Sequence, residues 1–226
     1  MSSSAIAPTS TTGSSSSSRS TVVEVRACEP RNHPVALIAC GALAQPAAEL
    51  AASHGWPVDV HPLPPLLHNQ PHLIAEEVRA LATSLQVAGA RVAIGYADCG
   101  TYGALDEVCR ELGLERLPGL HCYDVFAGPE RLAQFFEEQP GTYVLTDFLV
   151  RSFRRTVVRE LGLDRHPELR DDYFGAYTRV VWLAQRPDPE LRRLADEAAA
   201  TLGLPLTVVE TGHDGLERAL AQLVAS

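Results

Sequence analysis

The sequence predicts an α/β protein: one three-layer α/β/α domain built around a mainly parallel sheet. From Pro34 onward, short β-branched or apolar runs alternate with stretches whose apolar residues recur at helical spacing. That alternation puts parallel strands in a middle layer and helices on both faces. The chain has 226 residues, enough for a core that needs no disulfide to be stable. Its hydrophobic fraction of 46% is that of an ordinary globule, and no apolar run has the length of a membrane span.

Residues 1–22 are Ser/Thr-rich with almost nothing to bury, so they are expected to be a disordered tail ahead of a single domain over 30–226. They also lack the apolar stretch of a secretory signal. Val35 to Ala39 reads as a first buried strand, followed by a helix whose inner face carries Leu43, Ala47, Leu50 and Ala51. A second strand is expected at Val58 to Leu63, then a proline-punctuated loop, PPLLHNQP. Ile74, Val78, Leu81 and Leu85 mark the next helix, closing at Gly89.

Arg91 to Tyr96 is then a strand, and Leu105, Val108, Cys109 and Leu112 line a helix that stops at Gly113. Leu120 to Cys122 is a short strand candidate, and GPERLAQFFEEQ has proline in a first helical turn. Thr142 to Leu145 opens a further unit, with TDFLVRSFRRTVVREL as its loop and helix. Val180 to Leu183, the helix PELRRLADEAAATLG, Leu206 to Glu210 and a helix after Gly212 complete the pattern. The count is about five or six parallel strands joined by right-handed crossovers.

Cys40 in VALIACGAL, Cys99 in RVAIGYADCGTYGAL and Cys122 in LPGLHCYDVF each end an apolar run. Carboxyl ends of parallel strands converge on one sheet edge, so these thiols are expected to meet there as a metal or thiol site. Cys99 leads, because a helix is expected to start at Gly100 and its free N–H groups would favour a thiolate. The bland alternatives are buried small hydrophobes, and an Asp98 that merely caps a helix. Cys109 falls on an apolar helix face and Cys28 lies near the tail, so both are set aside.

No CxxC spacing occurs, which excludes a zinc ribbon or finger. Three thiolates from separate strand ends would leave zinc an open fourth position, or hold an iron–sulfur cluster with one open iron. His68, in the proline-bounded loop, ranks first as fourth ligand or acid/base. His121 is expected on the opposite strand face from Cys122, and His166 in a turn. Asp98 is the second acid/base candidate, while Asp147 suits a cap at least equally well.

Twenty-eight acidic residues against nineteen basic ones give a net charge of −9, which argues against nucleic acid as a partner and leaves a small-molecule substrate. The run RSFRRTVVR reads as a solvated helix face, with an anion-holding arginine as the alternative. Five cysteines at wide spacings suggest a reducing compartment, hence the cytoplasm. Dinucleotide, P-loop and HExxH motifs are missing.

IACGAL, LPPLLHNQP, YADCGTYGALD, GLHCY, FAGPE, LTDFLVRSF, GLDRHPEL and YFGAYTRVVWLAQ together resemble the domain-of-unknown-function 1638 family of bacteria and archaea, from about Pro34 to the last helix. The resemblance maps the family's cysteine motifs onto Cys40, Cys99 and Cys122 and its loop histidine onto His68. Members are often encoded beside corrinoid-dependent methyltransferases of methylamine and betaine type, which implies a role in one-carbon metabolism and a corrinoid methyltransferase system as partner. The corrinoid-binding DxHxxG is not met, since DRHPEL has leucine where glycine should stand.

The expectation is therefore a metal-binding protein, an enzyme, with zinc or an iron–sulfur cluster on the three cysteines. The alternatives are a metal-free two-thiol enzyme of racemase type and a non-catalytic accessory protein of a methyltransferase system.

Overall fold

The computed structural model describes residues 34–225; the expected tail at 1–22, the first residues of the expected domain and Cys28 lie outside them. The first half runs β1 (Val35–Ala39), α1 (Gly41–His54), β2 (Val58–Pro62), α2 (Ile74–Val87), β3 (Arg91–Gly95) and α3 (Ala104–Leu112). The second runs α4 (Cys122–Ala127), α5 (Pro129–Glu138), β4 (Thr142–Thr146), α6 (Asp147–Phe153), α7 (Arg170–Phe174), β5 (Arg179–Ala184), α8 (Pro189–Leu202), β6 (Leu206–Glu210) and α9 (Asp214–Ala225). A π-helical turn at Arg154–Arg159 prolongs α6, and short 3₁₀ turns occupy Pro65–Asn69, Pro71–Leu73 and Pro167–Leu169.

The strands form two three-stranded parallel sheets, in the orders β2-β1-β3 and β4-β5-β6, where one continuous sheet was expected. In the first, Leu37 lies opposite Val60 and Ala93; in the second, Val181 lies opposite Val144 and Thr207. Each sheet is covered on both faces. Val35, Leu37 and Ala39 pack towards Leu43, Phe126 and Leu216, whereas Ala36 and Ile38 pack towards Val78, Leu105 and Val108. Leu145 and Trp182 face α6 and α8, and Val144, Val181 and Leu183 face Leu132 of α5. Strands buried on both sides need continuous apolar runs, which is why β1 and β5 were legible.

The expected strand at Leu120–Cys122 is absent. The chain makes one parallel bridge beside β3, between Ile94 and Arg116, and turns at Gly119 (φ +99°) into α4. With that strand gone, nothing links the two sheets edge to edge among the described residues. Tyr123 of α4 instead packs against the apolar clusters of both. No described helix is long and apolar enough to cross a membrane.

Candidate functional site

Cys40 ends β1 and caps α1, with extended backbone (φ −70°, ψ 159°) and a carbonyl that accepts from the N–H groups of Leu43 and Ala44 at 3.0 and 2.9 Å. Glycine follows because space demands it: a Cβ on Gly41 would lie 3.0 Å from Pro65 Cβ and 3.2 Å from the Phe148 ring. The loop after β1 is thereby pressed against the loop carrying His68 and against α6.

Cys99 does not begin a helix. It sits in a loop, α3 starts only at Ala104, and both Cys99 and Tyr102 are held at φ 52°, a left-handed conformation that costs a side-chain-bearing residue free energy. Asp98 is what holds them there. Its carboxylate accepts from Thr101 Oγ1 at 2.7 Å, Gly103 N at 2.9 Å and Tyr102 N at 3.1 Å. Burial pushes that carboxyl up, but the hydrogen bonds from Gly103, Thr101, Tyr102 and Gly100 outweigh it and hold the group below its ordinary range. The chain's Cys99 N–H donates to Leu120 O at 2.7 Å, joining this loop to the segment before α4.

Cys122 is the first residue of α4 and is 3% exposed. The Leu120 and His121 N–H groups donate to the Asp124 carboxylate at 2.7 and 3.0 Å, fixing the entry to the helix. His121 is therefore the residue before a helix, stacked on Tyr123 at 6.0 Å, and not part of a strand.

These three thiols and His68 line one cavity, together with Tyr96, Phe148 and Leu149. The space open to the centre of a water-sized sphere is about 20 Å³, room for about one water molecule. The expected convergence at the carboxyl edge thus holds for the cysteines and His68, although Cys122 arrives on a helix. Asp98 lies outside this lining, its carboxylate occupied by the loop. Cys109 is buried against α2, away from the cavity.

The electrostatics oppose the thiolate expected at Cys99. Burial pushes Cys40 up to about 12, with the neighbouring Cys99 adding to it against hydrogen bonds from the Leu43 and Ala42 backbone. Burial likewise raises Cys99 to about 11, countered in part by the Cys122 N–H. Cys122 is raised well above the ordinary thiol range, by burial first and then by Cys40 and Cys99. Desolvation thus outweighs the nearby N–H groups; Cys99 further opposes ionisation of Cys40, both oppose that of Cys122, and Asp98 opposes that of Cys99. Burial, and then His121, lower the His68 pKa, so its imidazole is neutral at pH 7.

Tyr96 was not singled out in the sequence. It is 3% exposed, follows β3 and lines the cavity, with its hydroxyl raised by burial and then by Cys40 and Cys99. Its only signal was its place in the same strand-end run as Cys99. Asp147 serves structure: its carboxylate accepts from Trp182 Nε1 at 2.9 Å and from the N–H groups of Gln185 and Arg186 at 3.1 and 2.8 Å. His166 bonds Glu168 at 3.1 Å in an exposed turn. Arg151, Arg154, Arg155 and Arg159 are all exposed, as a solvated helix face requires.

As a metal centre, the donor set is chemically suited to a soft cation. Its arrangement is a shared cavity and not a coordination sphere: no group of three or more His, Cys, Asp and Glu side chains among the described residues is disposed to hold a metal ion.

A family model described as a protein of unknown function (DUF1638) matches residues 62–220, well over half the chain. The chain belongs to the DUF1638 family. The span that matches the DUF1638 model takes in His68, Cys99 and Cys122 and starts after Cys40. No curated protein and no solved structure matches.

Proposed function

We propose that this DUF1638 protein binds a single thiophilic metal ion, of zinc type, between Cys40, Cys99 and Cys122, with His68 at the remaining side. The carrying observation is that three thiols from three separate segments of the chain line a space of about 20 Å³, the size of an ion or a water and too small for an iron–sulfur cluster. Mutual repulsion among the thiols is a cost that a bound cation reverses, because it supplies the opposite charge and releases their protons. Ligation would need these donors to draw together, since among the described residues they do not form a group disposed to hold an ion. When bound, such an ion supplies Lewis acidity and holds a substrate thiol as thiolate. That chemistry suits the methyl-transfer setting, which rests on the family resemblance alone.

Metal analysis of anaerobically purified protein tests this reading, with about one zinc per chain expected and less in each single Cys→Ser variant. Metal-free protein whose folded Cys→Ser variants take up zinc as the wild type does would overturn it.

A second reading is metal-free two-thiol chemistry of racemase type, favoured by the lack of a formed ligand group. There Cys40 and Cys99 would relay a proton and Cys122 would be dispensable. Solvent deuterium entering a substrate at full rate in Cys122→Ser protein would decide for it.

A further inference from the structure

Beside the thiol pocket, and sharing His68 and Leu149 with it, lies a larger cavity of about 510 Å³. Its size is that of a small-molecule site. Five aromatic side chains line it: Tyr123, Tyr143, Tyr173, Phe174 and Tyr177. Tyr143 meets Phe174 and Tyr177 edge-on at 5.4 and 5.2 Å, so the rings are set at steep angles to one another and not in a flat stack.

Among the described residues the only carboxylate in the lining is Glu160, and none of those lining it is a lysine or an arginine. The arginines of the neighbouring helical run, Arg154, Arg155 and Arg159, are exposed and do not line it. One wall is the π-helical turn Arg154–Arg159, through Thr156 and Val157, with Glu160 just after it. π-Helical turns are rare and appear frequently at functional sites. Here the turn is tied to the loop that carries His68, since Asn69 Nδ2 donates to Thr156 O at 3.0 Å and both residues line the cavity.

Ring faces are electron-rich and attract a cation, more so when water is excluded. A carboxylate at the rim adds to that attraction, and no fixed positive side chain in the lining opposes it. Among the described residues of the lining an anionic ligand would find no cationic partner except His68, which burial keeps neutral. We propose that this aromatic cavity binds a small organic ammonium ion with an apolar body. Its use as the substrate side of the thiol pocket rests on the functional reading above; the ligand class does not.

Benzylammonium, benzyl alcohol and benzoate share one ring and differ in charge, so titrating each into the full-length protein by calorimetry reads the preference directly. Benzylammonium should bind saturably and about tenfold more tightly than benzyl alcohol, with benzoate weakest. Glu160→Gln and Tyr173→Leu, both at exposed positions, should each reduce that preference at least about threefold. Equal affinity for the alcohol, tighter binding of benzoate, or no saturable binding of any of the three would overturn the proposal. Zinc content reports on the thiol pocket and amine selectivity on this cavity. Amine selectivity in protein that takes up no zinc therefore overturns only the thiol-metal reading, and its absence in zinc-loaded protein overturns only the ammonium site.

Discussion

The Asn69 side-chain amide donates to the Thr156 carbonyl at 3.0 Å, joining two residues 87 positions apart. Asn69 follows His68 in a 3₁₀ turn, and Thr156 lies within the π-helical turn after α6. One hydrogen bond thus ties the histidine of the thiol pocket to the wall of the aromatic cavity. Asn69→Ala should cost about 1 kcal/mol of stability and speed amide hydrogen exchange over residues 66–70. Unchanged exchange in a folded variant would show that the bond does not hold this loop.

Asp98 is a scaffold for the Cys99 loop. Asp98→Ala leaves the Thr101 hydroxyl and two N–H groups without their acceptor and should cost about 2–3 kcal/mol at pH 7. Because its folded-state pKa lies below the ordinary 3.8, the ionised carboxylate stabilises the fold above that value. The contribution fades as pH falls through the folded-state pKa. Urea midpoints should therefore differ between wild type and variant at pH 7 and draw together towards pH 2. A difference that does not change with pH would contradict the assigned charge.

The buried thiols have the opposite linkage. An unfolded cysteine ionises near 9.0, whereas Cys99 holds its proton to about 11 and Cys40 to about 12. The unfolded state then binds fewer protons above pH 9, so stability falls as pH rises from there towards these values. A folded variant with all three thiols replaced by serine should lose most of that slope. Equal slopes between pH 8 and 10.5 would show that the thiols are not the groups responsible.

Zinc binding at pH 7 should release about three protons per ion, since all three ligands must shed theirs and the neutral His68 has none to lose. Calorimetry in buffers of different ionisation enthalpy counts them. Each single Cys→Ser variant should release about one fewer. A release near zero with full-affinity binding would mean the thiols are already ionised.

Gly119 permits the turn that brings Cys122 to the cavity. Its φ is +99°, and a Cβ there would stand 2.8 Å from Asp124 Cβ. Gly119→Ala should cost about 1–3 kcal/mol and raise the alkylation rate of Cys122, read by mass spectrometry of labelled peptides. A fully stable variant with Cys122 still protected would refute this role.

The repeating strand and helix periods were legible because apolar residues buried on a strand or helix face leave a period in the sequence. Val35–Ala39 and Arg179–Ala184 were read almost to the residue, and the edge strand Val58–Pro62 nearly so. The segment before Cys122 was misread because three apolar or half-apolar residues carry no period. The deciding feature there is Asp124 reaching back to the Leu120 and His121 N–H groups. The division into two sheets was equally hidden, since periodicity counts strands without saying which edges pair.

The sequence by itself determined the α/β class, the strand-end placement of Cys40 and Cys99, and the loop that carries His68. Those follow from local patterns of burial and turn chemistry. Tertiary structure alone decided that Cys122 joins them from a helix, that Asp98 is spent on its own loop, and that burial keeps the thiols protonated. It also decided that a ring-lined cavity opens beside them. Each of these depends on desolvation and on contacts between segments distant in the chain, and neither leaves a trace in the order of neighbouring residues.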